Sequence, residues 1–402
     1  MQSLKLGIFG FGCVGQGLVD VLDETTNFNV EVKKICIKDP AKSRTLDASF
    51  FTLNASELID DPEIDIIVEL IDDAEAAFEI VSKSLQNGKA VVSANKKMIA
   101  ENLAELIELQ QENQTPLLYE ASCCASIPII RNLEEYYDHD LLSSVSGIVN
   151  GSTNYILSQM SEFGNEYETA LEEAKSNGFA ETDPSLDVMG IDACYKLCII
   201  LFHSFGLIVE PKKVFTSGIT SINAFDIDFA KKNGSVIKLL ANAGKKNNQV
   251  TAFCIPTFVP EGSILSQTRN EYNSVILETA FTERQVLMGK GAGSRPTGSA
   301  VLSDISALTY DYKYEFKKFS EHSPLELAHE LVLRVYVRYD QKNKPELNQF
   351  EQVHETFSSS RFSYLLGEIS LENLRNAEWR NNPNISVIHY PLINGRDESA
   401  HL

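Results

Sequence analysis

Short apolar runs and amphipathic runs take turns along the first third of the chain. Residues 4–9 read as a strand, Gly10 to Gly15 as a glycine-rich turn, and the run through Leu22 as a helix. Further strands are expected at 30–37, 65–70, 90–93 and 116–120, with helices at 74–86 and 103–110 between them. This alternation predicts a parallel, doubly wound sheet. From about residue 130 the rhythm changes. Helical runs appear at 165–177 and 188–205, and strand-like segments at 250–259 and 275–281 suggest a second sheet. A Gly-rich loop at 289–305 feeds a helix. The tail then reads as a strand at 333–338, a helix near 347–357, a strand at 362–369, a helix near 371–380 and a strand at 385–390. No internal repeat interrupts this order.

With 402 residues, two or three domains are expected. A hydrophobic content of 43% is that of a globular chain. The net charge of −21 argues against nucleic acid and against an anionic membrane surface, both of which need basic patches. The N-terminus enters a strand directly, without a signal-peptide core, and no apolar run has the length of a membrane span. Seven scattered cysteines complete no zinc pattern and read as reduced thiols of a cytoplasmic protein.

Two stretches carry chemistry. Gly10-x-Gly12-x-x-Gly15 follows a strand and opens a helix, the setting in which this spacing binds a dinucleotide. Cys13 and Val14 lie inside that turn, where N–H groups and the helix dipole meet a pyrophosphate. Asp39, after the second strand, suits a ribose diol. Lys38, Lys42 and Arg44 suit a 2′-phosphate, which tips the reading slightly to NADP over NAD. The second stretch runs from Glu181 to Lys196 and includes Asp187 and Asp192. Asp192 and Lys196 share a helical face, and the residues after them are apolar. Asp187 and Lys196 would lie on opposite sides of one continuous helix. A loop through about 186 is therefore expected, with Asp187 near an N-cap.

Taken together the motifs resemble the homoserine dehydrogenase family over roughly residues 4 to 310. The match includes the glycine fingerprint, Ser93-Ala94-Asn95-Lys96-Lys97, Tyr119-Glu120-Ala121-Ser122, Gly147 through Leu157, the Glu181–Lys196 segment and the loop at 291–297. The resemblance implies reversible NAD(P)-dependent interconversion of L-aspartate-4-semialdehyde and L-homoserine, a step of threonine and methionine biosynthesis. It implies that Lys96 and Lys196 flank the reacting oxygen and that Asp192 orients Lys196. Glu181 and Asp187 would take the substrate's ammonium or hydroxyl. Asn150, Gly151 and Ser152 would lie between nicotinamide and substrate. Ser93, Asn95 and Gly291 would join the cofactor site. Glu120, with the carbonyls of Cys123, Ala125 and Ile127, matches a monovalent-cation loop for Na+ or K+. The implied domains are a dinucleotide-binding domain at 1–130 with a returning segment near 286–310, an α+β catalytic and dimerisation domain at 131–285, and a C-terminal module at 311–402. That module resembles a degenerate ACT domain, one strand short of βαββαβ, with threonine as a possible effector. A homodimer is implied.

The chain departs from the family pattern in places. Asp72-Asp73 replaces a Gly-Gly pair near the cofactor, and two acids there would repel a pyrophosphate unless they face solvent. Cys124 and Ser126 replace glycines of the cation loop, and Phe179 replaces a common Tyr. Two rival readings remain: another amino-acid dehydrogenase of the same architecture, and a catalytically silent nucleotide sensor.

Overall fold

The computed structural model describes residues 4–26, 28–139, 141–321, 325–328 and 330–391. They divide into two compact units. One comprises the chain up to Asp138 together with 289–320, and the other 139–288 together with the residues from Glu321 onward.

The first unit is built on six parallel strands: β1 (Leu4–Phe9), β2 (Val30–Cys36), β3 (Phe51–Thr52), β4 (Ile66–Glu69), β5 (Ala90–Ser93) and β6 (Leu117–Leu118). Their order, β3-β2-β1-β4-β5-β6, is that of a dinucleotide-binding sheet. Leu6, Ile8, Ile35, Val68 and Val92 fill one face of it, with Leu18 of the helix Cys13–Glu24 and Val301 and Ile305 of the helix Ser294–Leu308. The returning segment expected near 286–310 thus supplies part of this core. The strand expected at 116–120 is cut to two residues because Glu120–Ser122 turns into a 3₁₀ helix. The helix expected from 103 starts earlier, at Lys96, because the Asn95 side chain caps it by accepting the Met98 N–H at 3.0 Å.

The helices Cys13–Glu24 and Ser294–Leu308 touch backbone to backbone. A Cβ on Gly17 would lie 2.1 Å from the Ser294 carbonyl oxygen, and one on Gly298 would lie 2.5 Å from the Gly17 carbonyl carbon. Neither obstacle is a flexible side chain. Gly298→Ala is therefore expected to destabilise the protein by about 1–3 kcal/mol, the cost of overpacking a filled contact. A urea or guanidinium midpoint unchanged from wild type would refute the contact.

The second unit holds β7 (Leu142–Ile148), β8 (Phe215–Thr216), β9 (Ser235–Lys246), β10 (Gln249–Pro260), β11 (Tyr272–Thr279), β12 (Glu283–Lys290) up to Met288, β13 (Glu326–Leu327), β14 (Val332–Tyr339), β15 (Gln352–Ser358), β16 (Ser363–Ser370) and β17 (Ser386–His389). Their sheet runs β12-β11-β7-β9-β10-β17-β14-β16-β15, with β8 and β13 also on β10. The long hairpin β9–β10 forms its middle, and the helix Ile191–Phe205, buried from Asp192 to its end, packs against both strands.

The tail corrects one expectation. The helix expected near 347–357 is a 3₁₀ turn at Leu347–Gln349 followed by strand β15. The order becomes strand, turn, strand, strand, helix, strand, and the strands lie antiparallel as β17-β14-β16-β15. That is the complete split-βαβ arrangement with its first helix shrunk to one turn, so no strand is missing. These strands share a core with the rest of the unit. Phe215, Phe253 and Ile255 pack with Leu333, Val335, Val337, Leu365 and Ile369. Among the described residues no helix is long and apolar enough to cross a membrane.

Candidate active site

In the second unit a polar cluster is buried where the helices Gly151–Phe163 and Ile191–Phe205 begin. Asn150 caps the first, its side-chain oxygen accepting from the Thr153 N–H at 2.8 Å and from the Thr153 hydroxyl at 2.9 Å. That fixes the carboxamide, so its NH₂ points the other way. It donates to Asp187 Oδ1 at 2.7 Å and to Asp192 Oδ2 at 2.8 Å. Lys196 Nζ lies 2.7 Å from the same Asp192 oxygen and donates to the Val149 carbonyl at 2.8 Å. Asp192 and Lys196 are both buried, at 2% and 7% exposure. A surface ion pair, the ordinary fate of an i,i+4 Asp/Lys pair, is thereby excluded.

Two backbone devices bring Asp187 to this cluster. Asp183 accepts the Ser185 N–H at 3.1 Å and starts a one-turn helix, Ser185–Val188. Gly190, at φ +79°, then breaks the path before the helix Ile191–Phe205 begins. The chain is broken as the spacing required, but Asp187 sits within a helical turn and not at an N-cap. Burial raises the Asp187 pKa above its ordinary 3.8, and the charge of Asp192 raises it further. Asn150, Lys196 and Ser152 pull it back down.

In the first unit the turn after β1 is shaped for an anion. Gly10 has φ +95°, and a Cβ there would lie 2.7 Å from the Leu70 carbonyl oxygen. A Cβ on Gly15 would lie 2.6 Å from the Gly10 carbonyl oxygen, so both glycines are forced by the turn itself. Gly12 differs. Nothing lies within 4 Å of a Cβ placed on it, and it caps the helix Cys13–Glu24 without any side-chain hydrogen bond. The start of the helix thus has open space beside Gly12 and no side-chain cap, an arrangement suited to a pyrophosphate.

The homoserine dehydrogenase catalytic-domain model matches residues 128–306, and the model of that enzyme's NAD-binding domain matches residues 10–120. The chain is 32% identical to the homoserine dehydrogenase of Bacillus subtilis over 383 residues, covering 90% of this chain and 87% of that protein. The chain belongs to the homoserine dehydrogenase family. Identity to the Synechocystis homoserine dehydrogenase is 33% over 362 residues, covering 84% of this chain and 83% of the relative. Among solved structures, a homoserine dehydrogenase from Thiobacillus denitrificans superposes with TM-score 0.85 at 27% identity, covering 97% of this chain and 98% of that one. A hyperthermophilic archaeal homoserine dehydrogenase in complex with NADPH gives TM-score 0.67 at 28% identity, covering 78% and 99%.

A homoserine dehydrogenase is an NAD(P)-dependent oxidoreductase, and the remaining sequence-derived residues can be located with that chemistry in mind. Lys96 is the first residue of the helix capped by Asn95. Ser93 and Asn95 are buried and organised by an acid the sequence reading passed over. Glu69, at the end of β4, accepts from the Ser93 hydroxyl at 2.6 Å and from the Ile71 N–H at 2.8 Å, and burial pushes its pKa up to about 7. Asn95 in turn donates to the Ile71 carbonyl at 3.0 Å. Gly291 is buried in the loop before Ser294, and Cys13 is exposed in the glycine-rich turn. Lys38 and Asp39 are exposed, and Asp39 accepts the Ala41 N–H at 2.9 Å. Arg44 is folded onto this loop. Its guanidinium donates to the carbonyls of Asp39 at 2.5 Å and Lys42 at 2.7 Å and lies 5.2 Å from the Phe51 ring centre.

Several expectations change. Glu181 is exposed on the loop before the Ser185–Val188 turn, outside the hydrogen-bonded set of Asn150, Asp187, Asp192 and Lys196. Ser152 reaches the Phe179 carbonyl at 2.6 Å, and the Tyr155 and Phe179 rings pack 4.8 Å apart. Asp72 and Asp73 are both exposed. Asp73 caps the helix Ala74–Gln86 through the Ala76 N–H, so its carboxylate is engaged locally. The Glu120 side chain is buried and organises the loop after it. Its two carboxylate oxygens accept the Ile130 and Arg131 N–H groups, each at 2.8 Å. Of the expected carbonyls, that of Ile127 accepts the Ile129 N–H at 2.8 Å, while Cys123 and Ala125 are buried in a loop where Cys124 and Ala125 have positive φ. Val149 and Thr153, which position Lys196 and Asn150, were not singled out from sequence. Their place on either side of Asn150 was the available signal.

Proposed function

We propose that the cluster around Asn150 is where L-aspartate-4-semialdehyde and L-homoserine are interconverted. The observation that carries this reading is a buried ammonium, Lys196, fixed by Asp192 and by the Val149 carbonyl. The nicotinamide cofactor, when bound, supplies or takes up the hydride. As the hydride reaches the aldehyde carbon, negative charge grows on its oxygen. Lys196 stabilises that charge and gives the oxygen a proton, leaving homoserine, and the lysine regains its proton from solvent. In the reverse direction neutral Lys196 takes the hydroxyl proton. Asp192 stays ionised and holds the amine in one orientation. Lys96 is proposed as a second ammonium on the strength of the Ser93–Lys97 motif, and Lys96→Ala tests it separately. The direct test is NAD(P)H formation from L-homoserine at alkaline pH. No rate with either cofactor would end the reading.

Asp187 is assigned to the substrate ammonium, with Glu181 at the mouth of the approach. A half-buried carboxylate whose pKa is raised by burial and by a neighbouring acid gains from an arriving cation. Binding requires the ionised form. The homoserine KM is therefore expected to rise as pH falls through the raised Asp187 pKa, and the Asp187→Asn variant to lose that pH dependence. Identical KM–pH profiles for the two proteins would refute the assignment.

The cofactor preference is proposed to be NADP, supported by the anchored Arg44; kcat/KM with NADPH and with NADH decides it. A monovalent cation at the Glu120 loop is proposed from the family motif alone; the Glu120 carboxylate holds the Ile130 and Arg131 N–H groups with lone pairs to spare, and no step is assigned to the ion. A homodimer is proposed from the family, to be checked by sedimentation. Threonine as an effector is supported by the split-βαβ order of the tail. Because the tail shares the second unit's core, threonine titration of the intact chain is the usable test, and a flat curve would remove the idea.

A further inference from the structure

A cavity of about 410 Å³ lies in the second unit, far along the helix Gly151–Phe163 from the site just described. Its inner wall includes Ser158, Ser235 and Lys238, all buried. Lys231, Arg269, Glu162 and Glu261, all exposed, stand nearer solvent. Ser158 is eight residues beyond Asn150, about 12 Å along a helix axis.

Lys238 is an unusual residue for its place. It is the fourth residue of β9, at 3% exposure. Its ammonium donates to Asn154 Oδ1 at 2.8 Å and to the Thr268 carbonyl at 2.7 Å. Both acceptors are neutral. Among the described residues no carboxylate lies within ion-pairing distance of it. Glu162, the acid whose charge it feels, is paired with Arg269 at 3.1 Å. The Thr268 carbonyl sits between Gln267 and Arg269, and Asn154 lies one turn before Ser158, so residues of the cavity wall bracket the ammonium on two sides. Asn154 is itself immobilised, donating to the carbonyls of Thr268, Asn270 and Tyr272 at 2.9–3.1 Å. Three cations and two acids line the cavity, in a chain whose net charge is −21. A buried charge is normally paired, and this one has two neutral dipoles and a cavity beside it.

We propose that this cavity binds a compact oxyanion, a carboxylate or a phosphate, that completes the shell of Lys238, with the Ser158 and Ser235 hydroxyls beside it and Lys231 at the mouth. Four serines, at 158, 161, 235 and 266, line the cavity; Ser158 donates to the Asn154 carbonyl at 2.7 Å, Ser235 to the Asn233 carbonyl at 3.3 Å and Ser266 to the Ser263 carbonyl at 2.7 Å, so a hydroxyl must rotate off its carbonyl to donate to the anion. Burial lowers the Lys238 pKa to about 8; Glu162 opposes that shift and Arg269 adds to it. An anion in the cavity would restore the ammonium.

The test is calorimetric titration of the full chain with inorganic phosphate and, separately, with acetate, at constant ionic strength. NADP+ is present throughout so that the glycine-rich turn is occupied. Saturable binding by one of the two is expected and names the class. Lys238→Met should weaken it by about 30-fold or more, the loss for removing one partner of a buried charge pair. Lys212→Ala, on the surface, should leave it unchanged. Because burial lowers the Lys238 pKa and a bound anion would raise it, wild-type binding near pH 8 should take up protons, seen as a heat that depends on the buffer's ionisation enthalpy. This arm needs no variant and decides the matter if Lys238→Met does not fold. Two flat titrations, binding that persists in Lys238→Met, or a buffer-independent heat at pH 8 would each overturn the proposal.

Discussion

Lys196→Ala is expected to lower kcat for homoserine oxidation by roughly 10²–10⁴-fold, the range for losing a positioned proton donor and acceptor. NADP+ affinity should change little, because Lys196 belongs to the second unit and the glycine-rich turn to the first. The mutation also strands Asp192, which is buried and hydrogen-bonded to Asn150. A stranded buried carboxylate raises its pKa and takes up a proton. A merely structural role for Lys196 would show as lower thermal stability with kcat per folded molecule intact. A catalytic role shows as lost kcat in a population that remains folded and binds cofactor. Unchanged kcat would refute the proton-transfer role even if the enzyme class stands.

Arg338→Ala is expected to destabilise the second unit by about 3–5 kcal/mol, the cost of leaving one member of a buried pair alone. Arg338 Nε is 2.9 Å from Asp226 Oδ1, and both side chains are almost fully buried. The guanidinium also donates to the Asn384 carbonyl at 3.1 Å and the Ser221 carbonyl at 2.5 Å. Asp226 uses its second oxygen to accept the Asn223 N–H at 3.0 Å, closing the capping box of the helix Ala224–Lys232. Burial raises the Asp226 pKa even with Arg338 beside it, and removing the arginine removes the main opposing influence. A carboxyl whose folded-state pKa is raised loses stability as pH rises from its unfolded value through the folded one. The deficit of Arg338→Ala should therefore be largest near neutrality and shrink as pH falls toward the ordinary aspartate range. Denaturant midpoints measured from pH 4 to 8 check this, and a pH-independent deficit would show that Asp226 does not titrate as argued.

How far the fold could be read from the chain depended on what each residue run had to bury. The dinucleotide sheet was legible because β1, β4 and β5 are buried on both faces and stand out as apolar runs. Strand β15 was misread as a helix for the opposite reason. All seven of its residues are exposed at the sheet's edge, so no alternation is written into Gln352–Ser358. Strand β9 went unnoticed because both its faces are buried while Lys238 and Asn242 interrupt its apolar run. At the site, the spacing put Asp192 and Lys196 on one helical face, the apolar residues after them argued for burial, and their roles came from the resemblance to the family. The role of Asn150 in joining Asp187 to them depends on Gly190 and on two helix starts converging, and no local spacing encodes that. Glu69 was hidden because a strand-end carboxylate reads as an ordinary boundary residue until its burial is known.

The grip of Asn150 on two carboxylates has a consequence for the chemical lifetime of the enzyme. Its successor is Gly151, where a Cβ would lie 2.7 Å from the Glu271 carbonyl oxygen, so the chain is held to an Asn-Gly pair. In a loose chain that pair readily cyclises through the following backbone nitrogen and loses ammonia. Here the carboxamide is tied to Thr153, Asp187 and Asp192, and the backbone is committed to a helix start. Ageing at this position should therefore proceed from the unfolded chain. Its product would place a third negative group against two acids that need a donor. Incubated near its melting temperature, the protein should gain mass at the peptide containing Asn150 in step with irreversible loss of activity. Folded protein stored for the same time should not.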